Sequence, residues 1–259
     1  MKRIILDLLR KMGYELVKLP ARKKSIVSNK LMLHKTKTGN YYLPTDAPDD
    51  VIACAIMANK IFDENIYKLA KEYIKKNSTV LDVGSNFGQM AILFSELTGD
   101  NGKVYAFDAN DFVFQILTKN IEANNKKNIT PIFGAVHNIP KEYLYFPAPD
   151  LNKYSTYGSF GIDYKNNQGM QVPTVTIDSL NIQEPISFMK IDIQGGDLYA
   201  MQGAVNTITK NKMPILFEYE YTFENQMPHN FQDYVDFVNQ IHYKFAKVID
   251  GQNYLILPR

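Results

Sequence analysis

The chain has 259 residues, 45% of them hydrophobic, with 17 Tyr and 15 Phe and a formal net charge of only +2. This composition allows one large domain or two small ones and excludes a disordered chain. The single cysteine, Cys54, excludes a disulfide framework and a cysteine-based zinc cluster, and no apolar run approaches the roughly 20 residues that span a bilayer.

The small net charge conceals a basic N-terminal segment. Residues 1–40 contain eleven Lys or Arg and two acidic side chains, a net charge of +9, which leaves −7 for the rest of the chain. Five apolar side chains share one helical stripe: Ile4, Ile5, Leu8, Leu9 and Met12. We expect this helix either to lie on an anionic membrane surface or to pack on the domain or on a second subunit of a homodimer. Asp7 and Arg10 interrupt the apolar stretch, which argues against a cleaved signal peptide and favours a cytoplasmic protein.

We divide the chain into a basic extension, residues 1–48, and a main domain, residues 49–259. Within the extension, residues 13–48 mix short apolar runs with Gly and Pro and are expected to form an irregular arm. The main domain begins with a helical pattern over residues 51–76.

In the remainder of the domain, short apolar runs alternate with helical stretches. The runs predict buried strands over 79–83, 103–107, 129–133, 186–193 and 213–218, and the periodicity predicts helices over 88–98, 110–125, 196–210 and 231–241. This α/β alternation is typical of a parallel sheet with helices on both faces. Two last strand-like runs, 243–249 and 252–257, flank an Asp-Gly turn and predict an antiparallel hairpin.

The first buried strand runs into a glycine-rich loop that opens a helix. Gly84 and Gly88 let the backbone turn tightly and approach a ligand. The next strand leads to Asp108, twenty residues beyond Gly88, where a carboxylate can accept both hydroxyls of an adenosine ribose. A dinucleotide site would have a further glycine in the loop, and Asp82 would repel a pyrophosphate. The charges instead suit S-adenosylmethionine, which carries an ammonium and a sulfonium; a tight turn without a ligand is the alternative.

Five motifs occur in one order along the chain: VLDVGSNFG (80–88), VYAFDAN (104–110), the predicted strand TVTIDSL (174–180), FMKIDIQGGD (188–197) and PILFEYE (214–220). Through them, residues 51–257 resemble the FkbM-type family of class I S-adenosylmethionine-dependent methyltransferases. The resemblance implies a Rossmann-like class I fold, with a seven-stranded, mostly parallel sheet that ends in the antiparallel hairpin.

The resemblance also implies a cofactor site. The methionine part would be held by Asp82, Gly84, Ser85, Asn86 and Gly88, with Asp192 nearby. Asp108 would bind the ribose, while Phe107, Ala109, Asn110 and Ala135 would border the adenine. Glu64 matches a glutamate of the family that reaches the cofactor; a solvated helix carboxylate is the alternative.

One motif departs from the family pattern. The family's fourth-strand motif has a glutamate two residues after the aspartate, whereas here Asp192 is followed by Gln194. An amide neither accepts a proton nor offers a charged metal ligand, so any role of that glutamate is in doubt. The candidate catalytic groups are Asp192 as base or metal ligand, Glu218 next, and His229 as an alternative base. A divalent cation held by Asp192 with Glu218 or Glu220 is a further alternative, and the metal requirement is left open.

Acceptor recognition is expected in the long polar loop over residues 147–171. Aromatic and hydroxyl side chains interleave there: Tyr154, Ser155, Tyr157, Ser159 and Tyr164. Aromatic faces with hydroxyls between them suit a sugar or another polyol, although a surface lid whose tyrosines only pack is the alternative.

These features together predict an O-methyltransferase acting on a hydroxyl of a sugar, glycan or secondary metabolite. The basic extension motivates a nucleic-acid methyltransferase as an alternative, although the chain lacks the (Asp/Asn)-Pro-Pro-aromatic signature of base-amine methylation after its fourth strand. The Gln194 departure motivates a second alternative, a cofactor-binding module without turnover. A dinucleotide oxidoreductase is the least favoured.

Overall fold

The computed structural model describes residues 31–152 and 155–259. The expectations for residues 1–30 and for Tyr154 therefore lie outside the described residues. The strands are β1 (Leu31–Thr36), β2 (Gly39–Pro44), β3 (Thr79–Val83), β4 (Lys103–Asp108), β5 (Ile129–Phe133), β6 (Ala135–Val136), β7 (Tyr143–Phe146), β8 (Met170–Val175), β9 (Ile186–Ile191), β10 (Ile215–Glu218), β11 (Tyr243–Ile249) and β12 (Asn253–Pro258). The α-helices are α1 (Val51–Met57), α2 (Glu64–Tyr73), α3 (Gln89–Thr98), α4 (Asp111–Ala123), α5 (Asp197–Gln202), α6 (Val205–Asn211) and α7 (Phe231–Gln240).

Seven strands form the central sheet, in the order β11-β12-β10-β9-β3-β4-β5. β10, β9, β3, β4 and β5 are parallel, whereas β12 is antiparallel to β10 and pairs with β11 as a hairpin. The predicted seven-stranded, mostly parallel α/β sheet with its C-terminal hairpin is confirmed. The chain leaves β3 towards β4 on one side and later returns as β9 on the other, and ligands bind at the carboxyl ends of strands beside such a switch point.

Helices cover both faces of this sheet, and the alternation along β3 shows how. Val80 packs with residues of α1 to α4 on one face, whereas Leu81 and Val83 pack with residues of α5 to α7 on the other. All residues of β3 and β9 are buried. Near-continuous apolar strands of this kind are what a parallel sheet covered on both sides requires.

Residues 31–44 form a β-hairpin, so the prediction of an irregular arm is wrong there. β1 pairs antiparallel with β2 along its whole length. Tyr41 and Leu43 of β2 are almost fully buried and join the same core as α1 to α4.

Two asparagines, Asn120 of α4 and Asn124 at its C-cap, hold the backbone of β2. Asn120 Oδ1 accepts a hydrogen bond from the Tyr42 N–H at 2.6 Å, and Asn124 Oδ1 accepts one from the Asn40 N–H at 2.8 Å. These partners are 78 and 84 residues apart along the chain, so a local sequence pattern carries no sign of them.

Two predicted helices are each divided in two. The helix expected over 51–76 is α1 followed by α2, because Asn59 and Asp63 between them have φ values of 59° and 56°. Left-handed residues cannot continue a right-handed helix. The helix expected over 196–210 is α5 followed by α6, and α5 ends at its C-cap, Gly203.

The strand predicted over residues 174–180 lies earlier in the chain, as β8, and ends at Val175. Thr176 then caps a 3₁₀ turn over Ile177–Leu180. β8 pairs with β6 and β7 in a separate three-stranded sheet that the sequence pattern did not predict.

Asp178 does not cap the turn that follows its own strand. Its two carboxylate oxygens accept hydrogen bonds from the N–H groups of Asn206 and Thr207 at 3.0 and 2.8 Å. Asp178 therefore caps the first turn of α6, a helix more than twenty residues further along the chain.

The loop predicted over residues 147–171 is irregular in its described part except for the 3₁₀ turn Tyr157–Ser159, and its last two positions belong to β8. A loop this long inside a compact fold is typical of a functional segment. Within the described ranges, none of the helices is both long and apolar enough to cross a bilayer.

We expect Asn120→Ala to lower the free energy of unfolding by about 2–4 kcal/mol, measured by urea denaturation. The Asn120 amide also donates to the Phe87 carbonyl at 2.8 Å, so its removal leaves backbone groups of both β2 and the glycine-rich loop without a partner. Glu122→Ala, at an exposed position of the same helix, is the control and should change stability by less than about 0.5 kcal/mol. Equal stability of the two variants would contradict the prediction.

Candidate active site

A cavity of about 240 Å³ lies across the carboxyl ends of the parallel strands. Its wall includes one residue at or just after the end of each of β3, β4, β5, β9 and β10: Gly84, Asp108, Gly134, Asp192 and Glu218. Residues 156–162 of the long loop and the start of α1 line it as well. The cavity therefore lies where an open α/β sheet binds its ligand.

Gly84 begins the loop between β3 and α3 and meets the backbone that follows β9. Its φ is +82°, and a Cβ on it would lie 1.8 Å from the Asp192 carbonyl oxygen. The Gly84 N–H donates to the Phe107 carbonyl at 3.0 Å, which fixes the loop to β4. Only glycine fits this position, and it keeps the loop backbone open to the cavity.

The other loop residues divide between the cavity and the core. Asn86 lines the cavity beside Gly84. Ser85 and Gly88 do not line it: Ser85 Oγ donates to the Asp82 carbonyl at 2.8 Å, and Gly88 is the N-cap of α3 and packs against Leu117. These two residues shape the loop and do not reach its ligand face.

Asp108 stands at the end of β4 with its carboxyl group held by two backbone donors. Oδ2 accepts from the Asn86 N–H at 3.0 Å and Oδ1 accepts from the Asn110 N–H at 2.9 Å. Burial raises the pKa of Asp108 to about 7 although both hydrogen bonds lower it. The structure thus brings Asp108 and the glycine-rich loop together, as predicted.

Asp82 does not line the cavity. It is fully buried beneath the loop, and its cross-strand neighbour on β9 is Lys190, whose Nζ lies 4.0 Å from Asp82 Oδ1. Burial raises the pKa of Asp82 to about 6, while the Lys190 charge opposes the rise. The expectation that Asp82 contacts the cofactor is therefore corrected: Asp82 is a partner of Lys190.

Asp63, and not Glu64, faces the cavity. Glu64 is exposed and forms an ion pair with Lys68, one turn along α2, at 3.0 Å. Asp63 has a left-handed φ of 56° just before the helix starts, which turns it towards the strand ends. Burial raises the pKa of Asp63 to about 6, with the Lys190 charge lowering it. The carboxylate that lines the cavity is therefore one residue earlier than predicted, because Glu64 already belongs to α2.

The part of the cavity beside β4 and β5 is mainly apolar. Phe107, Ala109 and Ala135 all line it, as predicted, together with Asn110. Ala109 and Ala135 belong to a small apolar cluster that also contains Phe146. This slot suits a flat, weakly polar ring system such as adenine.

Asp192 and Glu218 lie together on the opposite side of β3, joined by Gln194. The Gln194 amide nitrogen is 3.1 Å from Asp192 Oδ1 and 2.9 Å from Glu218 Oε2. Burial favours a protonated Asp192, but the Lys190 charge and hydrogen bonds from neighbouring side chains outweigh it and lower the pKa of Asp192. Burial and the nearby carboxylates of Asp192 and Asp197 raise the pKa of Glu218 well above its usual range. At neutral pH the pair therefore consists of an ionised Asp192 and a protonated Glu218.

The long loop is fastened to the start of α1 by a buried carboxylate that the sequence pattern did not reveal. Asp50 is fully buried; its Oδ1 caps α1, and its Oδ2 accepts from the Tyr157 N–H at 2.8 Å. A Cβ on Gly158 would lie 3.3 Å from the Asn86 amide nitrogen, and one on Gly161 would lie 2.9 Å from Gln194 Cβ. The loop thus extends from the glycine-rich loop to the catalytic candidates.

Among the predicted acceptor residues, Tyr157, Ser159 and Tyr164 line the cavity, whereas Ser155 is exposed and does not. The Tyr157 ring lies 5.2 Å from the Phe112 ring. Three of the predicted side chains of this loop therefore share the cavity with Asp192, and Thr156 of the same loop lines it as well.

His229 lies outside this cavity, in a small neighbouring pocket lined by Tyr219 and Tyr234 among others. One ring nitrogen, Nε2, is 3.2 Å from the Gly195 carbonyl oxygen. Burial lowers the pKa of His229, so the ring is held neutral. The structure does not bring His229 together with Asp192 and Glu218, and the prediction of His229 as the base is not supported.

Glu220 also lines the cavity, with Glu218 and Asp192. In the described ranges, however, no group of three or more His, Cys, Asp or Glu side chains is arranged to hold a metal ion. The predicted cation therefore gains no ligand set from these residues.

Gly84→Ala is expected to lower the free energy of unfolding by several kcal/mol and to abolish ligand binding in the cavity, because a Cβ would overlap the Asp192 carbonyl. Gly251→Ala is a matched control: its φ is +81°, and nothing lies within 4 Å of the added Cβ. The control should lose only the backbone cost of about 1–2 kcal/mol. Equal losses in urea denaturation would show that contact with Asp192 does not matter.

The sequence model of the methyltransferase FkbM domain matches residues 82–245. No curated protein gives a significant match.

Three solved structures are similar at low sequence identity. A provisionally named rRNA methylase from Clostridium thermocellum has 14% identity and a TM-score of 0.48, covering 75% of this chain and 93% of its own. The methyltransferase FkbM from Methylobacillus flagellatus has 13% identity and a TM-score of 0.47, covering 73% of this chain and 49% of its own. Aeropyrum pernix fibrillarin with bound S-adenosyl-L-methionine has 13% identity and a TM-score of 0.43, covering 92% of this chain and 84% of its own.

All three TM-scores are below 0.5, so the fold assignment rests on the observed strand order and the family assignment on the sequence model. The matched residues include the end of β3 and all of β4, β9 and β10, which carry the cavity wall. They make up more than half of the chain, which therefore belongs to the FkbM methyltransferase domain family.

Proposed function

We propose that this chain is an S-adenosylmethionine-dependent O-methyltransferase acting on a hydroxyl group of a sugar, a glycan or a secondary metabolite. The observation that carries the proposal is a single cavity with Asp108 and an apolar slot on one side of β3 and Asp192 with Glu218 on the other. The first side suits an adenosine, and the second supplies carboxyl groups for a reacting hydroxyl. Membership of a methyltransferase family supports the same conclusion.

The residues of the cavity fit this cofactor. Gly84 leaves the loop backbone open to a ligand, and Asp108 offers a carboxylate to ribose hydroxyls. Acidic side chains line the wall, and none of its described residues is Lys, Arg or His. Such a wall favours a ligand with an ammonium and a sulfonium. When bound, S-adenosylmethionine supplies a methyl group that its sulfonium has already activated.

The chain's own residues must orient the acceptor and take its proton. Asp192 is the ionised member of the carboxyl pair, so it is the group that accepts a hydrogen bond or a proton from the attacking hydroxyl. Glu218, which keeps its proton, acts as a neutral neighbour that adds no repulsion. The loop that carries Tyr157 and Ser159 covers the same cavity, and excluding water there strengthens these interactions.

A nucleic-acid acceptor fits the described cavity less well. Phosphate groups would approach a wall that bears Asp63, Asp192 and Glu220 and no cationic side chain. A neutral polyol avoids this repulsion and can form hydrogen bonds with the Ser159 and Tyr164 hydroxyls of the loop. The acidic wall therefore favours the sugar or metabolite acceptor.

Asp108→Asn is expected to weaken binding of S-adenosylhomocysteine by about 1–3 kcal/mol, measured by titration calorimetry, because a charge-assisted contact is lost. The pKa of about 7 also predicts a pH effect: ribose hydroxyls donate to the ionised form, so wild-type affinity should rise from pH 6 to pH 8.

The raised pKa of Asp108 affects the stability of the folded protein in the opposite direction. The raised pKa stabilises the folded protein below pH about 4, and this contribution is lost as pH rises through about 7.

Two outcomes check the Asp108 assignment. Asp111→Asn, in the first turn of α4, is the control and should keep wild-type affinity and its pH dependence. Unchanged affinity in Asp108→Asn, or a wild-type affinity that is flat between pH 6 and pH 8, would contradict the assignment.

The acceptor class is tested by S-adenosylhomocysteine release with a panel of mono- and oligosaccharides, and with total RNA for comparison. We expect release with members of the sugar panel and a loss of turnover of at least about 100-fold in Asp192→Asn, with cofactor affinity nearly unchanged. Methylation of RNA alone would favour the nucleic-acid alternative. Tight cofactor binding without release from any acceptor would favour a non-catalytic module.

A further inference from the structure

The four carboxylate oxygens of Asp192 and Glu218 each have a nitrogen donor from this chain. Lys190 Nζ is 3.1 Å from Asp192 Oδ2, and Gln252 Nε2 is 3.1 Å from Glu218 Oε1. The remaining two oxygens, Asp192 Oδ1 and Glu218 Oε2, share one donor, the amide nitrogen of Gln194, at 3.1 and 2.9 Å. A single side chain thus bridges the two carboxyl groups.

The backbone is bent to place this side chain. Gln194 has a left-handed φ of +57°, an uncommon conformation for a residue with a Cβ, and Gly195 follows with a φ of +99°. The turn brings the Gln194 amide back over Asp192, two residues earlier in the chain. Gly161 of the long loop lies close to the Gln194 side chain: a Cβ on Gly161 would be 2.9 Å from Gln194 Cβ. Backbone and loop together hold the bridge in place.

We propose that Gln194 is a positioning residue whose amide nitrogen occupies the place between Asp192 and Glu218 that a bound cation would otherwise have to fill. An ionised glutamate, which the family resemblance implies at this position, has acceptors only. Three carboxyl groups would then meet, and they would need a shared proton or a divalent cation to stay together. In this chain Glu218 keeps its proton and the Gln194 amide donates to both groups, so the pair stays together without a cation.

The surrounding charges agree with this role. Lys190 lies on the other side of Asp192, with its Nζ 3.1 Å from Oδ2, while burial and the nearby Asp192 and Asp197 carboxylates raise the pKa of Glu218. An ionised and a protonated carboxyl group can lie side by side, and a donor between them fixes their separation. The proposal rests on the proposed function only in assigning Asp192 to the reaction; the bridge itself is a property of the fold.

The first test asks whether a carboxylate at this position admits a cation. Gln194→Glu exchanges the bridging donor for an acceptor, and Gln252→Glu adds the same charge beside Glu218 without touching Asp192. We expect Mn²⁺ affinity at pH 7.5, measured by electron paramagnetic resonance on the full chain, to increase at least about 10-fold in Gln194→Glu over both wild type and Gln252→Glu. No gain in Gln194→Glu, or an equal gain in the control, would overturn the proposal.

The second test asks whether the bridge controls Asp192. Gln194→Ala should raise the midpoint of the Asp192 carboxyl titration, followed by ¹³C NMR and assigned with Asp192→Asn, whereas Gln252→Ala should leave it unchanged. A purely structural role would leave this titration unmoved in both, and that result would overturn the proposal. If Gln194→Ala does not fold, Gln194→Asn is used, since its shorter side chain cannot reach both carboxyl groups.

Calorimetry with S-adenosylhomocysteine separates this inference from the proposed function. If wild type does not bind S-adenosylhomocysteine, the proposed function fails, yet both tests of the bridge still stand. If wild type binds S-adenosylhomocysteine, but Gln194→Glu gains no Mn²⁺ affinity over its control and Gln194→Ala leaves the Asp192 titration unchanged, only the inference about Gln194 is wrong.

Discussion

The buried ammonium of Lys190 is the interaction on which the candidate active site depends. Lys190 is 4% exposed, and its Nζ donates to Asp192 Oδ2 at 3.1 Å and to the Gly84 carbonyl at 3.4 Å, with Asp82 Oδ1 at 4.0 Å. Burial disfavours the charge, but the carboxylates of Asp192, Asp82 and Asp63 outweigh it and raise the pKa of Lys190. A buried charge without partners costs several kcal/mol, so Lys190 and its carboxylates require one another. The group ties β9 to β3 and to the glycine-rich loop.

The central sheet was predictable because its signal is local. Strands buried on both faces, such as β3 and β9, appear in the sequence as short apolar runs, and the glycines after β3 mark the turn into a helix. The hairpin of β11 and β12 was recognisable from its Asp-Gly turn. The β1–β2 hairpin was not, since its second strand is held by Asn120 of a distant helix and by Asn124 at the end of that helix. The sheet of β6, β7 and β8 likewise joins segments that are far apart in the chain.

The sequence motifs indicated the position of the candidate site, but several single side chains were placed wrongly. Asp82 looked like a ligand group because it precedes the glycine-rich loop, yet side chains along a strand alternate between faces, and its carboxylate is buried beside Lys190. The available signal was Lys190 itself: a single cation inside an otherwise apolar strand needs an acidic partner on a neighbouring strand. Asp63 lines the cavity in place of the predicted Glu64 because Asp63 has a left-handed backbone conformation. Hydrophobic periodicity does not reveal such a conformation.

The balance of charge in the cavity bears on the proposed reaction. Carboxylates that bind a sulfonium in the ground state also resist the loss of its charge during methyl transfer, so groups close to the reacting centre help only if they favour the transition state. Lys190 offsets the charge of Asp192 and Asp82, while Asp108 lies on the other side of β3, where the proposed function places the ribose, a part of the ligand whose charge would not change. In the proposed function, the carboxylate that attracts the cationic cofactor would thereby lie away from the sulfonium, the group whose charge methyl transfer removes. The acidic wall would hold S-adenosylhomocysteine, which lacks the sulfonium charge, less strongly than S-adenosylmethionine, and this difference would favour release of the product.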